Sequence, residues 1–223
     1  MLIRRYFNGG LPRLVIFDLD GTLVDSVPDL ALAIDLMLEA LDLPLAGQER
    51  VRCWVGNGAQ MLVQRALKAM SPNEAIAFDR AFELFLHHYR DNLSCKSALY
   101  LGVNRALERC AELDIPMAVV TNKPIAFTHP LLSHLHIDGF FCDVLGGDSL
   151  SKKKPDPMPL LVLMDKYGLA PTEVLMVGDS VNDVRAARNA GCPVIAVPYG
   201  YNHGEDIKLS EPDDVVERLD LLF

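Results

Sequence analysis

Four short apolar runs, each ending abruptly, constrain the fold of this chain more than any other feature. They occupy residues 14–17, 117–120, 174–177 and 194–197, and segments of helical periodicity separate them. Unbroken apolar strands of this length are typical of a parallel sheet that helices cover on both faces. The sequence therefore predicts an α/β fold, with a doubly wound, mostly parallel sheet in a Rossmann-like core.

Polar residues follow these runs at the carboxyl end of each predicted strand. Asp18, Thr121 and Asp179 are the leading examples. Any one of them could simply cap the helix or turn that follows. Open α/β sheets bind ligands at this edge, however, and the joint occurrence of complementary side chains favours a functional site there.

The spacing of these residues predicts a second domain. Asp18 and Thr121 are 103 positions apart, whereas a strand with its crossover helix needs about 30 residues. The excess, about 70 residues, predicts an insertion. We therefore expect a core made of residues 1–25 and 97–223 and a helical cap made of residues 26–96.

Apolar periodicity within the insertion predicts several helices. The apolar face of the first predicted helix is formed by Leu30, Ile34, Met37, Leu38 and Leu41, and Pro28 lies in its first turn. Residues 59–70 are a further candidate. The string SPNE at 71–74 resembles a capping box that would open a helix running to about residue 93. At the other end of the chain, residues 213–219 are predicted to form an amphipathic helix.

Composition narrows the classes of function. The chain has 30 acidic and 21 basic residues, a net charge of −9, which argues against binding of nucleic acid or anionic membranes but allows a small anionic substrate. The five cysteines form no C-x-x-C pair, which favours free thiols. No signal peptide or membrane span of about 20 residues is visible, so we expect a cytoplasmic protein. The sequence predicts no oligomeric state.

Two carboxylates lie directly after the first predicted strand. Asp18 and Asp20 are two positions apart, so in an extended segment their side chains point to the same face. Neighbouring carboxylates can be divided by their environment into an ionised nucleophile or metal ligand and a proton donor. Gly21 would allow the tight turn that follows.

Further carboxylates and a lysine are predicted at the same edge of the sheet. Asp179, with Ser180 beside it, is followed by Asp183 in the first turn of the next helix. Convergent carboxylates without His or Cys are typical of a Mg²⁺ site. Lys154 is the candidate counter-charge, although the run 152–154 could also be a solvated surface. Thr121 and Asn122 would provide an anion cradle near a helix start, and the whole set suits phosphoryl transfer.

Four ordered strings in this chain resemble the motifs of the haloacid dehalogenase superfamily of phosphohydrolases. They are FDLDGTLVDS at 17–26, VVTNKP at 119–124, KKPDP at 153–157 and VGDSVNDVRAARNAG at 177–191. The resemblance implies that Asp18 is the nucleophile and a Mg²⁺ ligand. It also implies that Asp20 is the acid/base, with its main-chain carbonyl on the metal and Thr22 supporting its side chain.

The same resemblance implies roles for the later motifs. Thr121 and Lys154 would hold the phosphoryl oxygens, with Thr22 and Asn122 at the same phosphate-binding end. Asp179 would bind Mg²⁺. Asp183 would orient Lys154 or a metal-bound water, with Ser180 in support.

Three further strings are similar to the bacterial phosphoglycolate phosphatases. They are ERVRCWVGNGAQMLVQRAL at 49–67, VLGGDSLSKKKPDP at 144–157 and VPYGYNHGED at 197–206. This resemblance implies hydrolysis of the small phosphomonoester 2-phosphoglycolate. Gly56 and Asn57 in the cap loop 54–58 would contact its carboxylate, although Gly-Asn-Gly is also ordinary turn chemistry.

Other functions remain compatible with the sequence. They are a capped phosphatase for another phosphomonoester, such as N-acetylmuramic acid 6-phosphate, a phosphosugar mutase of the β-phosphoglucomutase type, and a non-catalytic binding protein on the same fold. The intact set of Asp18, Asp20, Lys154 and Asp179 argues against the last. Movement of the cap would require hinges, which we expect near Ser26 and at 94–97.

Overall fold

The computed structural model of this chain is built on one six-stranded parallel sheet. The structure describes residues 1–71 and 76–223. The strand order is β5-β4-β1-β6-β7-β8. Its strands are β1 (Leu14–Phe17), β4 (Met117–Val120), β5 (Phe141–Leu145), β6 (Val174–Gly178), β7 (Val194–Ala196) and β8 (Asp214–Val215). Two short antiparallel strands, β2 (Val24–Asp25) and β3 (Ala98–Leu99), form a separate ribbon.

Both faces of this sheet are buried, which explains the unbroken apolar runs. Along β1, Val15 and Phe17 pack in one apolar cluster, whereas Leu14 and Ile16 pack in a second cluster on the opposite face. This division follows from the alternation of side chains along a strand. The α/β class predicted from the sequence is confirmed.

Helices cover the two faces of the sheet. The first face packs against α5 (Val103–Glu112) and α6 (Ile125–His134), and the second packs against α7 (Met158–Tyr167) and α8 (Val181–Ala190). None of the helices in the described part of the chain is long and apolar enough to cross a membrane.

The four helices that the structure describes between β1 and β3 form a third apolar cluster, apart from the two sheet faces. They are α1 (Val27–Glu39), α2 (Gln48–Trp54), α3 (Ala59–Met70) and α4 (Phe78–Asp91). The cluster also includes Phe127 from α6 and Tyr201 from the loop after β7, so the helical insert rests directly on the sheet domain.

The position of β1 explains where a site can form. Its neighbours are β4 on one side and β6 on the other, with parallel pairing in both cases. The chain thus crosses over to opposite sides of β1, and the loops that follow these strands separate to leave a crevice. The helical insert begins just after β1 and covers that crevice.

Three local predictions can be compared with the structure. The helix at 59–70 is confirmed as α3. The capping box at 71–74 lies partly outside the described residues, and α4 begins at Phe78 and ends at Asp91. The C-terminal helix at 213–219 is wrong. The main-chain N–H groups of Asp213 and Val216 instead donate to the carbonyls of Val194 and Ala196 in β7, which makes β8 an edge strand.

Candidate active site

The turn after β1 positions two acidic side chains. The N–H of Asp18 donates to the carbonyl of Val177 over 2.9 Å, which extends the β1–β6 ladder by one residue. Gly21 then adopts a φ of +96°, and a Cβ there would lie 2.3 Å from the Oδ2 atom of Asp179. Glycine is therefore required for both the turn and the close approach of that carboxylate.

Lys154 forms a buried ion-pair network with two carboxylates. Its Nζ atom lies 2.9 Å from Oδ1 of Asp18 and 2.6 Å from Oδ1 of Asp183. The lysine is only 2% exposed, so the run 152–154 is not a uniformly solvated surface. Burial alone would lower the pKa of Lys154, but the two carboxylates outweigh burial and raise it.

Asp183 has a second bonding function at the start of α8. Its Oδ2 atom accepts hydrogen bonds from the N–H of Ser180 over 3.0 Å and from the hydroxyl of Ser180 over 2.7 Å. The helix start thus fixes the carboxylate, and the carboxylate fixes Lys154. Of the two functions that the sequence left open for Asp183, orientation of Lys154 is the one with a direct contact.

Asp179 is almost completely buried and accepts only neutral donors among the described residues. The hydroxyl of Thr22 donates to its Oδ1 atom over 2.6 Å, and the N–H of Tyr201 donates to Oδ2 over 2.6 Å. Burial raises the pKa of Asp179 well above its ordinary value, and the charges of Asp183 and Asp18 add to the shift. Thr22 was expected to support Asp20; its hydroxyl instead holds Asp179.

The residues present fit a divalent cation. Asp18, Asp179 and Asp183 each bring one carboxylate oxygen within 4.8 Å of the other two, and all three residues are buried. Burial also raises the pKa of Asp18 to about 7, although Lys154 opposes the shift. Lys154 supplies one positive charge for three carboxylates, so a hard cation with oxygen ligands would balance the site. The side chain of Asp20 is not part of this cluster.

Asp20 is instead paired with a lysine that the sequence analysis did not assign. The Nζ atom of Lys123 lies 3.0 and 3.2 Å from the two carboxylate oxygens of Asp20 and also donates to the hydroxyl of Tyr89 in α4. Burial alone would lower the pKa of Lys123, but Asp20 and Tyr89 outweigh it and raise that pKa. The string TNKP contains this lysine, and its position two residues after Thr121 was the available signal.

Thr121 and Asn122 lie where the sequence placed them, in the loop after β4. The hydroxyl of Thr121 accepts from the N–H of Lys123 over 3.2 Å. The amide nitrogen of Asn122 donates to the carbonyls of Gly56, over 3.0 Å, and Lys154, over 2.9 Å. Because an amide has two N–H donors, this side chain links the cap loop to the Lys154 loop, and its donors are already used.

Three residues of the cap loop 54–58 line the cavity, namely Val55, Gly56 and Gly58. The side-chain oxygen of Asn57 instead accepts from Arg65 over 2.6 Å. The carbonyl of Asn57 accepts from Lys153 over 3.0 Å. The side chain of Asn57 therefore holds the loop, and a contact of Asn57 with the substrate carboxylate stays a prediction.

One cavity between the cap and the sheet is lined by Asp18, Asp20 and the loop after β4. It has a volume of about 460 Å³, part of which is open to solvent. Its core lining includes Asp18, Asp20, Thr121, Asn122 and Lys123, and its cap lining includes Leu30, Gly56, Gly58, Leu62, Phe85 and Tyr89. The carboxylates and the lysine on the core side of the cavity therefore face largely apolar side chains on the cap side.

Comparison with protein families identifies the group to which this arrangement belongs. The model of the family described as haloacid dehalogenase-like hydrolase matches residues 15–197. The chain belongs to the haloacid dehalogenase-like hydrolases. Within these hydrolases, a phosphoglycolate phosphatase of Nitrosococcus oceani is 46% identical over 211 residues, which are 93% of this chain and 93% of that protein. One of Pectobacterium atrosepticum is 47% identical, over 91% of this chain and 87% of that protein.

Solved structures of haloacid dehalogenase-like hydrolases share the fold. The crystal structure of a predicted phosphoglycolate phosphatase from Haemophilus somnus matches with a TM-score of 0.91 and 41% identity, and covers 93% of this chain and 95% of that one. CbbY from Rhodobacter sphaeroides, in complex with phosphate, matches with a TM-score of 0.80 at 20% identity over 95% of this chain and 96% of that one. The latter match shows the fold alone.

Proposed function

We propose that this chain hydrolyses 2-phosphoglycolate to glycolate and phosphate, with Mg²⁺ as its cofactor. The observation that carries the proposal is the buried network in which Lys154 contacts both Asp18 and Asp183 beside Asp179. Such a network supplies a carboxylate nucleophile, a cation for the phosphoryl oxygens and ligands for a metal. The names and the identities of the curated relatives support the choice of substrate.

The two carboxylates of the β1 turn would divide the chemistry. A carboxylate oxygen of Asp18 attacks phosphorus and forms an aspartyl-phosphate, while the bond from phosphorus to the glycolate oxygen breaks. Asp20 gives its proton to that oxygen, so glycolate leaves with a neutral hydroxyl group. Asp20 then takes a proton from the water that attacks the aspartyl-phosphate, which releases phosphate and restores Asp18.

The remaining residues hold the phosphoryl group. We place Lys154, the hydroxyl of Thr121 and the main chain at Asn122 around its oxygens, where they balance negative charge as the phosphoryl group is transferred. Asp18, Asp179 and the main-chain carbonyl of Asp20 would hold Mg²⁺, with Asp183 orienting Lys154. When bound, the metal supplies further charge neutralisation and aligns the phosphoryl group with Asp18.

The division into a core of residues 1–25 and 97–223 and a cap of residues 26–96 is part of the proposal. The β2–β3 ribbon lies where the chain passes between the two parts, and the cap would open there to admit the substrate. The five cysteines are all free in the described structure, which supports a cytoplasmic enzyme.

A phosphate-release assay tests this function. With Mg²⁺ present, 2-phosphoglycolate should be preferred over hexose phosphates, amino-sugar phosphates and nucleotides. Asp18→Asn should abolish phosphate release, whereas Asp143→Asn should retain it, because Asp143 lies in the edge strand β5, pairs with Lys166 and does not line the cavity. Preference for another ester would overturn the substrate, and transfer of phosphate back to a sugar instead of release would indicate a mutase.

A further inference from the structure

A cation and a hydroxyl lie at the cap side of the cavity, and the proposed reaction leaves both without a direct role. Lys123 belongs to the loop after β4 and is 5% exposed, and Tyr89 belongs to the last turn of α4 and is 2% exposed. Both residues line the cavity that contains Asp18 and Asp20. The core thus provides one member of the pair and the cap provides the other.

The bonding of this pair leaves a donor available. The Nζ atom of Lys123 contacts both oxygens of Asp20 and the hydroxyl of Tyr89. An ammonium group has no acceptor, so the Tyr89 hydroxyl must accept from it and keeps its own proton for another partner. In the hydrogen bonds of residues 1–71 and 76–223, Tyr89 donates to nothing. A cation and an unused O–H therefore stand side by side.

Position and charge together indicate what this pair could bind. In the proposed reaction Asp20 must reach the ester oxygen of the substrate, and the Nζ atom of Lys123 is within 3.2 Å of the Asp20 carboxylate. The group attached just beyond the ester oxygen would then lie next to Lys123. In 2-phosphoglycolate that group carries a carboxylate, which an ammonium and a hydroxyl can bind by charge and by hydrogen bonds.

Other basic side chains near the cap loop do not line this cavity and bind the loop itself. Arg65 donates to the carbonyl of Trp54 and to the side chain of Asn57, and Lys153 donates to the carbonyl of Asn57. Among the described residues that line the cavity, Lys123 is the basic one. A second anionic group on the substrate would therefore meet its counter-charge there.

We propose that Lys123 and Tyr89 together bind the carboxylate of the substrate and select phosphomonoesters that carry a carboxylate next to the ester carbon. The proposal rests on the proposed function. Because one residue is in the core and the other is in the cap, the carboxylate is fully bound only when the cap is closed. Binding energy from this remote group then holds the closed state in which the reaction occurs.

The test compares two substrates that differ in the carboxylate. For 2-phosphoglycolate and ethyl phosphate, kcat/KM is measured for the wild-type protein and for Lys123→Met, Lys123→Arg and Tyr89→Phe. We expect Lys123→Met to reduce the preference for 2-phosphoglycolate by about 10- to 100-fold, and Tyr89→Phe to reduce it by about 10-fold. Lys123→Arg should retain more of the preference than Lys123→Met. Lys68→Met is the matched control, because this exposed lysine of α3 does not line the cavity, and it should leave the preference unchanged.

The ratio of the two substrates separates recognition from other effects. If Lys123 served only to hold Asp20, or if a variant were partly unfolded, kcat/KM would fall equally for both substrates and the ratio would stay constant. A constant ratio in both Lys123→Met and Tyr89→Phe overturns this proposal. A wild-type protein without preference for 2-phosphoglycolate overturns the proposed function instead.

A binding measurement gives a second, independent readout. In the Asp18→Asn background, which removes the nucleophile, calorimetry measures the affinity for 2-phosphoglycolate with and without Lys123→Met. We expect a loss of about 10- to 100-fold in affinity for 2-phosphoglycolate and a much smaller loss for ethyl phosphate. Equal losses for the two ligands would contradict a role for Lys123 in carboxylate binding.

Discussion

Replacement of Asp18 by Asn should stabilise the metal-free protein above neutral pH while it abolishes hydrolysis. Burial raises the pKa of Asp18 from its ordinary 3.8 to about 7, even with Lys154 beside it. One pKa unit corresponds to about 1.4 kcal/mol, so keeping this carboxylate ionised in the folded protein costs about 4 kcal/mol. Asparagine has almost the same shape and carries no charge, which removes that cost.

The sign of the pH dependence follows from the direction of the shift. The folded protein holds the proton of Asp18 more tightly than the unfolded chain does, so the free energy of unfolding falls as pH rises from about 4 to about 7. Above that window the loss is complete. The difference between Asp18→Asn and wild type should therefore grow across this window to at most about 4 kcal/mol. For a chain of this size that corresponds to roughly 8–16 °C in Tm.

Thermal unfolding in EDTA between pH 4 and pH 8.5 measures this difference. Asp143→Asn is the matched control with the opposite sign. Burial would raise the pKa of Asp143, but hydrogen bonds from Lys166 and Tyr167 outweigh it and lower that pKa, so loss of its charge should destabilise the protein at pH 8. If Asp18→Asn and wild type gave parallel curves across the window, the account of a costly buried carboxylate would be refuted.

Three further predictions concern the same site. Gly21→Ala places a Cβ 2.3 Å from the Asp179 carboxylate and should lower kcat/KM by at least about 100-fold. Its control is Gly168→Ala, where the added Cβ meets open space at a φ of +61°. This control should lower the free energy of unfolding by only about 1 kcal/mol and leave activity intact. Tyr201→Phe removes the hydroxyl that contacts Asp25 and should lower the free energy of unfolding by about 1–3 kcal/mol in urea titrations, with the main-chain bond to Asp179 preserved. Removal of Mg²⁺ with EDTA should abolish phosphate release. Excess Mg²⁺ at 100 times its Kd should restore phosphate release and raise the free energy of unfolding by about 2.7 kcal/mol, as measured by thermal unfolding. Activity that persists in EDTA would refute metal dependence.

The central strands could be predicted because burial on both faces leaves a clear pattern. The run at 14–17 contains no polar residue, and every residue in it is buried. The strand at 141–145 was missed because it lies at the edge of the sheet, where Cys142 is exposed and Asp143 binds Lys166. At the C-terminus, helical periodicity gave a wrong prediction because pairing with β7 decides the conformation, and periodicity does not contain that information.

The site could be predicted in its positions and only partly in its contacts. Polar residues at strand ends converge for topological reasons, so Asp18 and Asp179 could be placed together from their positions after predicted strands. The partner of Lys123 could not be found in this way, because Tyr89 lies in a cap helix 34 positions earlier in the chain. The hydroxyl of Thr22 likewise bonds Asp179, 157 positions later. Such pairs depend on how the cap and the loops pack, which local sequence patterns do not encode.

The contacts of the cap with the core also indicate how easily the cavity can open. At the proposed hinge, the carboxylate of Asp29 in α1 accepts from the N–H groups of Lys96 and Ser97, each over 2.8 Å. These bonds tie α1 to the segment where the chain would return from the proposed cap to the core.

On the cavity side, the carbonyl of Gly56 accepts from the amides of Asn122, over 3.0 Å, and Asn182, over 3.3 Å. Lys153 and Lys123 also donate from the core to the Asn57 carbonyl and the Tyr89 hydroxyl, and Phe127 and Tyr201 pack in the apolar cluster of the insert. At about 1 kcal/mol net for each hydrogen bond, these four bonds contribute about 4 kcal/mol to closure. A ligand that binds the closed form more tightly by a similar amount is then sufficient to shift the population toward closure. Because the bonds of Asp29 lie at the proposed hinge and the other four lie across the cavity, we expect the cap to rotate as one body with its hinge bonds kept.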